Sequence, residues 1–304
     1  MFKYSFVICV FDGETTIREC LNSCLNQTIK AEAIIIVDDC STDNTLTIVS
    51  NFANNYQAIR IYHNTKNQGV SYSRNLAISK VPKTSDYIIF NDADDISLLN
   101  RAELQISNLI RNNSDLDICS SYILNSDGSF NQLQLDNYKF TAIREITNKL
   151  LIGNRLKKRI TFSIAASTMT VTRRLIEKIA FDTGFIRNED ADFALQAVKS
   201  KFALSLNPEM LIIRRRTTGK HKNIGNEFQS EMNLLEKWGS ELKTSEISFL
   251  KSWHNLELLY FSGLKRKTFL AAGILSIKHP IKMFFKFDVI LKRLLHDFKN
   301  LSRN

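Results

Sequence analysis

The strongest constraint on this chain is a set of apolar runs too unbroken to lie on a half-wetted sheet. YSFVICVF (residues 4–11), AIIIVDD (33–39) and DYIIF (86–90) are rich in β-branched and aromatic residues and carry almost no polar alternation. A strand of this kind is covered on both faces, as strands of a parallel sheet are. Between the runs the apolar spacing becomes helical: Ile17, Cys20, Leu21, Cys24 and Leu25, then Leu46, Val49 and Phe52. AIRIYH (58–63) reads as a third strand, 71–80 and 100–111 as helices, and DLDICSSYIL (115–124) as a further strand. Alternating strands and helices predict an α/β fold, with a Rossmann-like, mostly parallel sheet flanked by helices.

Open sheets of this class bind ligands beyond the carboxyl ends of their strands. Three polar clusters fall there: Asp12 to Glu14, Asp38-Asp39, and Asp92 to Asp95. From about 140 to 225 the pattern is mixed, with a helix over 142–153, a basic loop, a strand-like TMTV, a helix near 173–179, a loop entering a helix at RNEDADF, and a last strand at LIIRRR. Residues 226–304 read as helices broken near Pro280. No internal repeat is evident.

Charge separates the body from the tail. The net charge is +10, yet residues 265–304 hold ten Lys/Arg and two Asp, a local net of +8, so the body is close to neutral. A nucleic-acid-binding protein, the rival from another class, more often carries a basic stripe across its folded domain. Apolar residues among the basic ones, including Leu270, Ile274 and Phe284, suggest two amphipathic helices lying on an anionic membrane surface. A helical lid packed on the body would have the same composition. Cys9, Cys20, Cys24, Cys40 and Cys119 are odd in number and form no C-x-x-C pair, as expected of free thiols in a reducing compartment. Lys3 followed by a short apolar run that meets Asp12 reads as a strand, not as a signal peptide.

In an extended NDADD segment, Asp92 and Asp94 point to the same side. Two carboxylates facing one point repel unless a cation lies between them, and a divalent ion with oxygen ligands suits that place. A solvated acidic turn ahead of a helix at Asn100 would read the same way. The acidic residues of RNEDADF could equally favour the dipole of a helix start. Arg74 follows Asn67 and Gly69 in a strand-to-helix turn where a phosphate could approach the backbone.

Order and spacing add what single motifs lack. VICVFDGE, L-x-S-C-L-N-Q-T, IIIVDDCSTDNT, NQGVSYSRN, NDADD and NEDADF occur in that order over residues 4–218. This series resembles the family-2 inverting glycosyltransferases of GT-A fold. The resemblance implies a GT-A domain over 1–225, with a nucleotide-sugar-binding half (1–125) and an acceptor and catalytic-base half (126–225), followed by a basic amphipathic helical extension (226–304). It places Cys9, Phe11, Asp12 and Glu14 at the base-and-ribose pocket. Asp39 becomes the acceptor from the base, and Arg74 the basic residue near base and phosphates. Asp92, Ala93 and Asp94 form the D-x-D that meets ribose and diphosphate, with a divalent manganese or magnesium ion on Asp92 and Asp94. Asp190 matches the catalytic base, with Glu189 beside it. Where the family usually has a Tyr-Asn pair, this chain has Phe11 and Asp12. Phe11 can stack but lacks a hydroxyl, and Asp12 adds negative charge.

The expected activity is metal-dependent, inverting transfer of a sugar from a nucleotide-sugar, UDP first among carriers, to an acceptor hydroxyl. The expected partners are that donor and a saccharide or lipid-linked saccharide acceptor of bacterial surface polysaccharide (O-antigen or capsule) assembly, with no nucleic acid. The expected place is the cytoplasm or the inner face of the cytoplasmic membrane. A polyprenyl-phosphate glycosyltransferase is the alternative within the fold, but a phosphate acceptor needs no base at Asp190.

Overall fold

The structure is a computed structural model and describes residues 2–147, 150, 164–216, 224–261 and 265–278. Strands β1 (Tyr4–Val10), β2 (Ala33–Asp38), β3 (Ile59–His63) and β4 (Tyr87–Asp92) alternate with helices α1 (Ile17–Leu25), α2 (Thr45–Asn55) and α3 (Val70–Lys80). They pair in parallel in the order β3-β2-β1-β4. The sheet continues through β9 (Met169–Thr172), which is antiparallel to β4 on one side and to β6 (Leu116–Leu124) on the other, so β4 and β6 run the same way. β10 (Leu204–Arg215) adds in parallel to β6.

Both faces of the sheet are buried, as the unbroken apolar runs require. Successive residues of β1 and β2 alternate between two cores. Phe6, Ile8, Ile34 and Ile36 pack with Ile17, Leu21 and Cys24 of α1, Val49 of α2 and Ile106 of α4 (Arg101–Asn112). Val7, Ile35 and Val37 pack with Ala77 of α3 and with Phe193, Leu195 and Val198 of α7 (Glu189–Lys199). The carboxyl ends of β1, β2 and β4 therefore open onto one rim.

Three short strands, β5 (Ile96–Ser97), β7 (Phe130–Leu133) and β8 (Tyr138–Phe140), have no counterpart in the sequence reading. At two to four residues they are too short to show a period, and they form only because β6 and β10 offer edges. β10 itself is longer than LIIRRR suggests, because its register breaks between Asn207 and Ile212, where Pro208 cannot donate a ladder hydrogen bond. The helix expected over 142–153 is described only as α5 (Ile143–Thr147), and its remainder and the basic loop lie outside the described residues. The helix near 173–179 is α6 (Arg173–Ile176).

After the sheet come α8 (Ile224–Trp238), α9 (Thr244–Phe261) and α10 (Lys265–Lys278). Leu234 and Trp238 of α8 join the core of the sheet, whereas Leu235, Phe249, Leu250, Trp253, Leu256 and Leu275 form a separate core among the three helices. Among the described residues no helix is long and apolar enough to cross a membrane. Pro280 and the rest of the basic tail lie outside the described residues. All five cysteines are free.

A buried carboxylate ties α4 to the far half of the sheet. Asp117 of β6 accepts from Asn108 Nδ2 at 2.6 Å, Ser205 Oγ at 2.8 Å, Gln105 Nε2 at 3.2 Å and Asn207 Nδ2 at 3.4 Å. Burial pushes its pKa up to about 6, against the pull of these four donors. Asp117→Leu leaves the Asn108 and Asn207 amides without an acceptor in the core, while Gln105 keeps the Thr168 carbonyl and Ser205 keeps Ser114, and it is expected to cost about 3–5 kcal/mol, read from the urea midpoint. A loss below about 1 kcal/mol would show that the network does not hold α4 in place.

Candidate active site

The rim at the ends of β1, β2 and β4 gathers the carboxylates that the sequence marks. Asp39 follows β2 and is buried. Its Oδ1 accepts from Asn64 Nδ2 at 2.7 Å and Gln68 N at 2.9 Å, and its Oδ2 from Gly69 N at 2.8 Å. Asp39 therefore shapes the turn into α3, where Gly69 has φ 86°, a left-handed conformation that costs glycine little. A carboxylate offers about four lone-pair positions, so one direction on Oδ2 stays open to a ligand.

α3 carries Arg74 from that turn into the centre of the site, where the side chain is almost fully buried. Arg74 Nη2 donates to Asp92 Oδ1 at 2.9 Å, and Nη1 donates to Glu189 Oε1 at 2.7 Å. The guanidinium lies over the Phe181 ring, 5.3 Å from its centroid. Burial alone would lower its pKa, but Asp92 and Glu189 together raise it above the ordinary arginine value. Cys9 belongs to the same cluster: burial pushes its thiol up to about 12, opposed by Arg74 and reinforced by Asp92 and Asp39. A thiol so shifted stays neutral and unreactive at physiological pH.

The NDADD segment is a turn, not an extended strand end. Asp92 closes β4, and the Asp95 amide donates back to the Asp92 carbonyl at 3.0 Å. The turn, and not strand alternation, brings Asp92 and Asp94 into electrostatic contact. Burial and then the Asp92 charge push Asp94 up to about 6; burial, Asp92 and Asp94 push Asp95 up to about 7. Two arginines hold this turn. The fully buried Arg101 donates to Asn91 Oδ1 at 2.8 Å and to the Phe90 carbonyl at 2.9 Å, fixing the end of β4. Arg215, at the end of β10, donates its amide to Asp95 Oδ1 at 3.0 Å and its Nη1 to the Asp94 carbonyl at 2.9 Å, and its guanidinium pairs with Glu19. Neither was singled out from the sequence. The only signal for Arg215 was the RRR run at a strand end, and Arg101 gave none.

Asp190 lies in the first turn of α7. Its Oδ1 accepts from the adjacent Ala191 amide at 2.7 Å. Burial first, then the Glu189 charge, push its pKa up to about 7, with Arg74 opposing. Asn188 precedes the helix with φ 63° and makes no side-chain cap. A cleft of about 380 Å³ opens in front of this turn, lined by Ile164, Ile186, Arg187, Asn188, Glu189, Asp190 and Glu231.

Two residues expected at the donor pocket also tie neighbouring loops together. Asp12 Oδ1 accepts from Thr42 N at 2.7 Å, and Glu14 Oε2 from Asn44 N at 3.0 Å, so both carboxylates tie the β1–α1 loop to the loop before α2. Phe11 stands beside them, 44% exposed, and Ala93 is half-buried against the α1 side of the sheet. The structure thus joins Cys9, Asp39, Arg74, Asp92, Asp94, Glu189 and Asp190 around one rim. Among the described residues no three or more His, Cys, Asp or Glu side chains form a metal cluster. Asp92 and Asp94 offer two carboxylates, and a cation bound there would complete its shell from ligand oxygens. The crowding that raises Asp94 is what such a cation would relieve, so the residues fit it.

The profile of Glycosyl transferase family 2 matches residues 5–179. The chain belongs to this family. It is a glycosyltransferase, and its mostly parallel sheet flanked by helices is the GT-A fold. A cholesterol galactosyltransferase of Borreliella burgdorferi is 30% identical over 166 residues, 55% of this chain but only 43% of that protein. The Escherichia coli protein WfgD, a UDP-Glc:alpha-D-GlcNAc-diphosphoundecaprenol beta-1,3-glucosyltransferase, is 27% identical over 67% of this chain and 72% of its own length. In three dimensions the chain resembles S. aureus TarS 1–349, solved in complex with UDP, with a TM-score of 0.60 and 19% identity over 86% of this chain and 73% of that one. The family profile ends before α7, so the Asp190 turn lies beyond it.

The Arg74 bridge generates a stability prediction. Arg74→Met strands the buried Glu189 charge and unpairs the partly exposed Asp92, and is expected to cost about 3–5 kcal/mol, read from denaturant unfolding. A change below about 1 kcal/mol would show that the three side chains do not act as a unit.

Proposed function

We propose that this glycosyltransferase is an inverting, metal-dependent enzyme that moves a sugar from a UDP-sugar to an acceptor hydroxyl on a lipid-linked or surface polysaccharide. The observation that carries the reading is the separation of two carboxylate groups by one arginine. Asp92 and Asp94 lie on the β4 side of Arg74, and Glu189 and Asp190 lie on the α7 side, facing the cleft. The complex of TarS with UDP and the UDP-Glc in the name of the E. coli relative support the nucleotide. The diphosphoundecaprenol of that relative supports a lipid-linked acceptor.

In this scheme Asp39 uses its open lone pair for the nucleotide base, and Cys9 and Phe11 border the base and ribose. Arg74 holds Asp92 toward the diphosphate. A divalent cation on Asp92 and Asp94 would neutralise charge developing on the leaving diphosphate. Asp190, reached from the cleft, takes the proton of the acceptor hydroxyl as that oxygen attacks the anomeric carbon from the face opposite the leaving group. A hydroxyl acceptor needs this base and a phosphate acceptor does not, so Asp190 favours the hydroxyl reading over polyprenyl-phosphate transfer.

Asp190 acts in its ionised form, and its pKa is raised to about 7. Turnover is therefore expected to climb with pH through about 7 and to level above it. Glu189 is one cause of the rise, so Glu189→Gln should move that limb to lower pH. Asp190→Asn should lower turnover by about 10²–10⁴-fold with little change in donor binding. A wild-type rate in Asp190→Asn would remove the base assignment.

The cation is tested apart from activity. Asp94→Asn removes a crowded charge, so the unliganded protein should unfold at an equal or higher temperature. The additional stabilisation that manganese gives in the presence of UDP should disappear in this variant. Retention of that manganese-dependent shift would remove Asp94 as a ligand.

α10 supplies support for contact with an anionic membrane surface. Leu270, Ile274 and Ile277 are exposed at helical spacing, and Lys267 is exposed beside them. Each cation near such a surface contributes on the order of 1 kcal/mol. Sedimentation with phosphatidylglycerol vesicles is expected at low salt, weaker at high salt and weaker in Ile274→Asp/Ile277→Asp. Equal sedimentation of the variant would remove α10 from the contact.

A further inference from the structure

α7 carries one carboxylate that the reaction above does not use. Asp192 lies two residues beyond Asp190, is fully buried, and is held almost entirely from the C-terminal helices. Its Oδ1 accepts from Trp238 Nε1 at 2.8 Å and lies 2.9 Å from Lys237 Nζ; its Oδ2 accepts from Lys237 Nζ at 3.0 Å and Gln196 Nε2 at 2.7 Å. Lys237 also donates to Asp182 Oδ2 at 2.7 Å, and its ammonium lies 5.2 Å from the Phe185 ring centroid. Asp182 and Phe185 belong to the segment that leads into the Asp190 turn, so α8 grips both the helix and its approach.

The base thus stands between two anchored neighbours. Glu189 is fixed to Arg74 on the donor side, and Asp192 is fixed to Lys237 and Trp238 on the α8 side, whereas the hydrogen bond shown for Asp190 is to the next residue's amide. Residues 189, 190 and 192 point about 100° and 200° apart around a helix, so pinning the first and last sets the rotation of α7 and the aim of the middle one. Asn188 offers no side-chain cap that could do this locally.

We propose that Lys237 and Trp238 are positioning residues for the transfer reaction, acting through Asp192 to aim Asp190 into the cleft. α8 is then part of the acceptor half and not a detachable extension. This rests on Asp190 being the base, as proposed above.

The test uses the full chain, with UDP-glucose and UDP-N-acetylglucosamine as donors, water as acceptor and UDP release as the readout. Trp238→Phe keeps the ring in the core and removes one donor; Lys237→Met keeps the stem and removes the ammonium. Misplacing a catalytic group by about 1 Å can cost on the order of 10²-fold. Each variant is expected to lower kcat by roughly 10-fold or more while the donor KM moves less than about 2-fold, in protein that stays folded. In the Asp190→Asn background the same substitutions should cause no further loss, because the group they aim is gone. Unchanged kcat in both variants, or an equal proportional loss with and without Asp190, would overturn the proposal. If Asp190→Asn alone leaves UDP release unchanged, the base assignment is what fails.

Discussion

The guanidinium of Arg74, buried between Asp92 and Glu189, joins what would otherwise be two separate half-sites. β4 ends in one carboxylate partner of the arginine, and α7 begins with the other. Glu189 could not be buried alone, since an unpaired ionised group is expelled or neutralised, whereas Asp92 keeps part of its side chain in solvent. One cation shared by both permits each to sit close to the centre of the molecule. The same contact ties the end of β4 to the start of α7, and under the proposed single displacement it would keep the leaving-group side and the base side at a constant distance. The fold around it is built to hold the arginine still: α3 starts at a turn shaped by Asp39, and Phe181 covers the guanidinium face.

Much of this was legible in the sequence because parallel sheets advertise themselves. β1, β2 and β4 are buried on both faces, so their apolar runs are unbroken, and the polar residues that end them mark the rim. Helices α1, α2 and α4 each show one buried stripe. The order of the motifs then pointed to the family, and the match over residues 5–179 bears that out. The short strands β5, β7 and β8 were not legible, since they exist only as additions to the edges of β6 and β10.

The roles of charged residues were less legible than their positions. Asp12 and Glu14 sit at the expected strand end, and one oxygen of each carboxylate accepts from a backbone amide of the next loop, a partner that the local pattern does not show. Arg101 looks like any helical arginine in the sequence, and only the structure shows it fully buried beneath the D-x-D turn. Asp192 reads as one of several acids at a helix start, but its partners arrive from α8 more than forty residues later. A local pattern carries no information about such a partner. The tertiary fold decides which acid serves as an anchor and which faces the cleft.

The most direct test of the account is the stereochemistry of transfer. The proposed metal-side carboxylate pair and single base would allow one displacement with inversion, whereas retention would require a different arrangement around the anomeric carbon. Proton NMR of the first sugar released from a UDP-α-sugar, recorded before mutarotation, reads this without knowledge of the natural acceptor. The account predicts the β-anomer as the initial product. An initial α-anomer would contradict it.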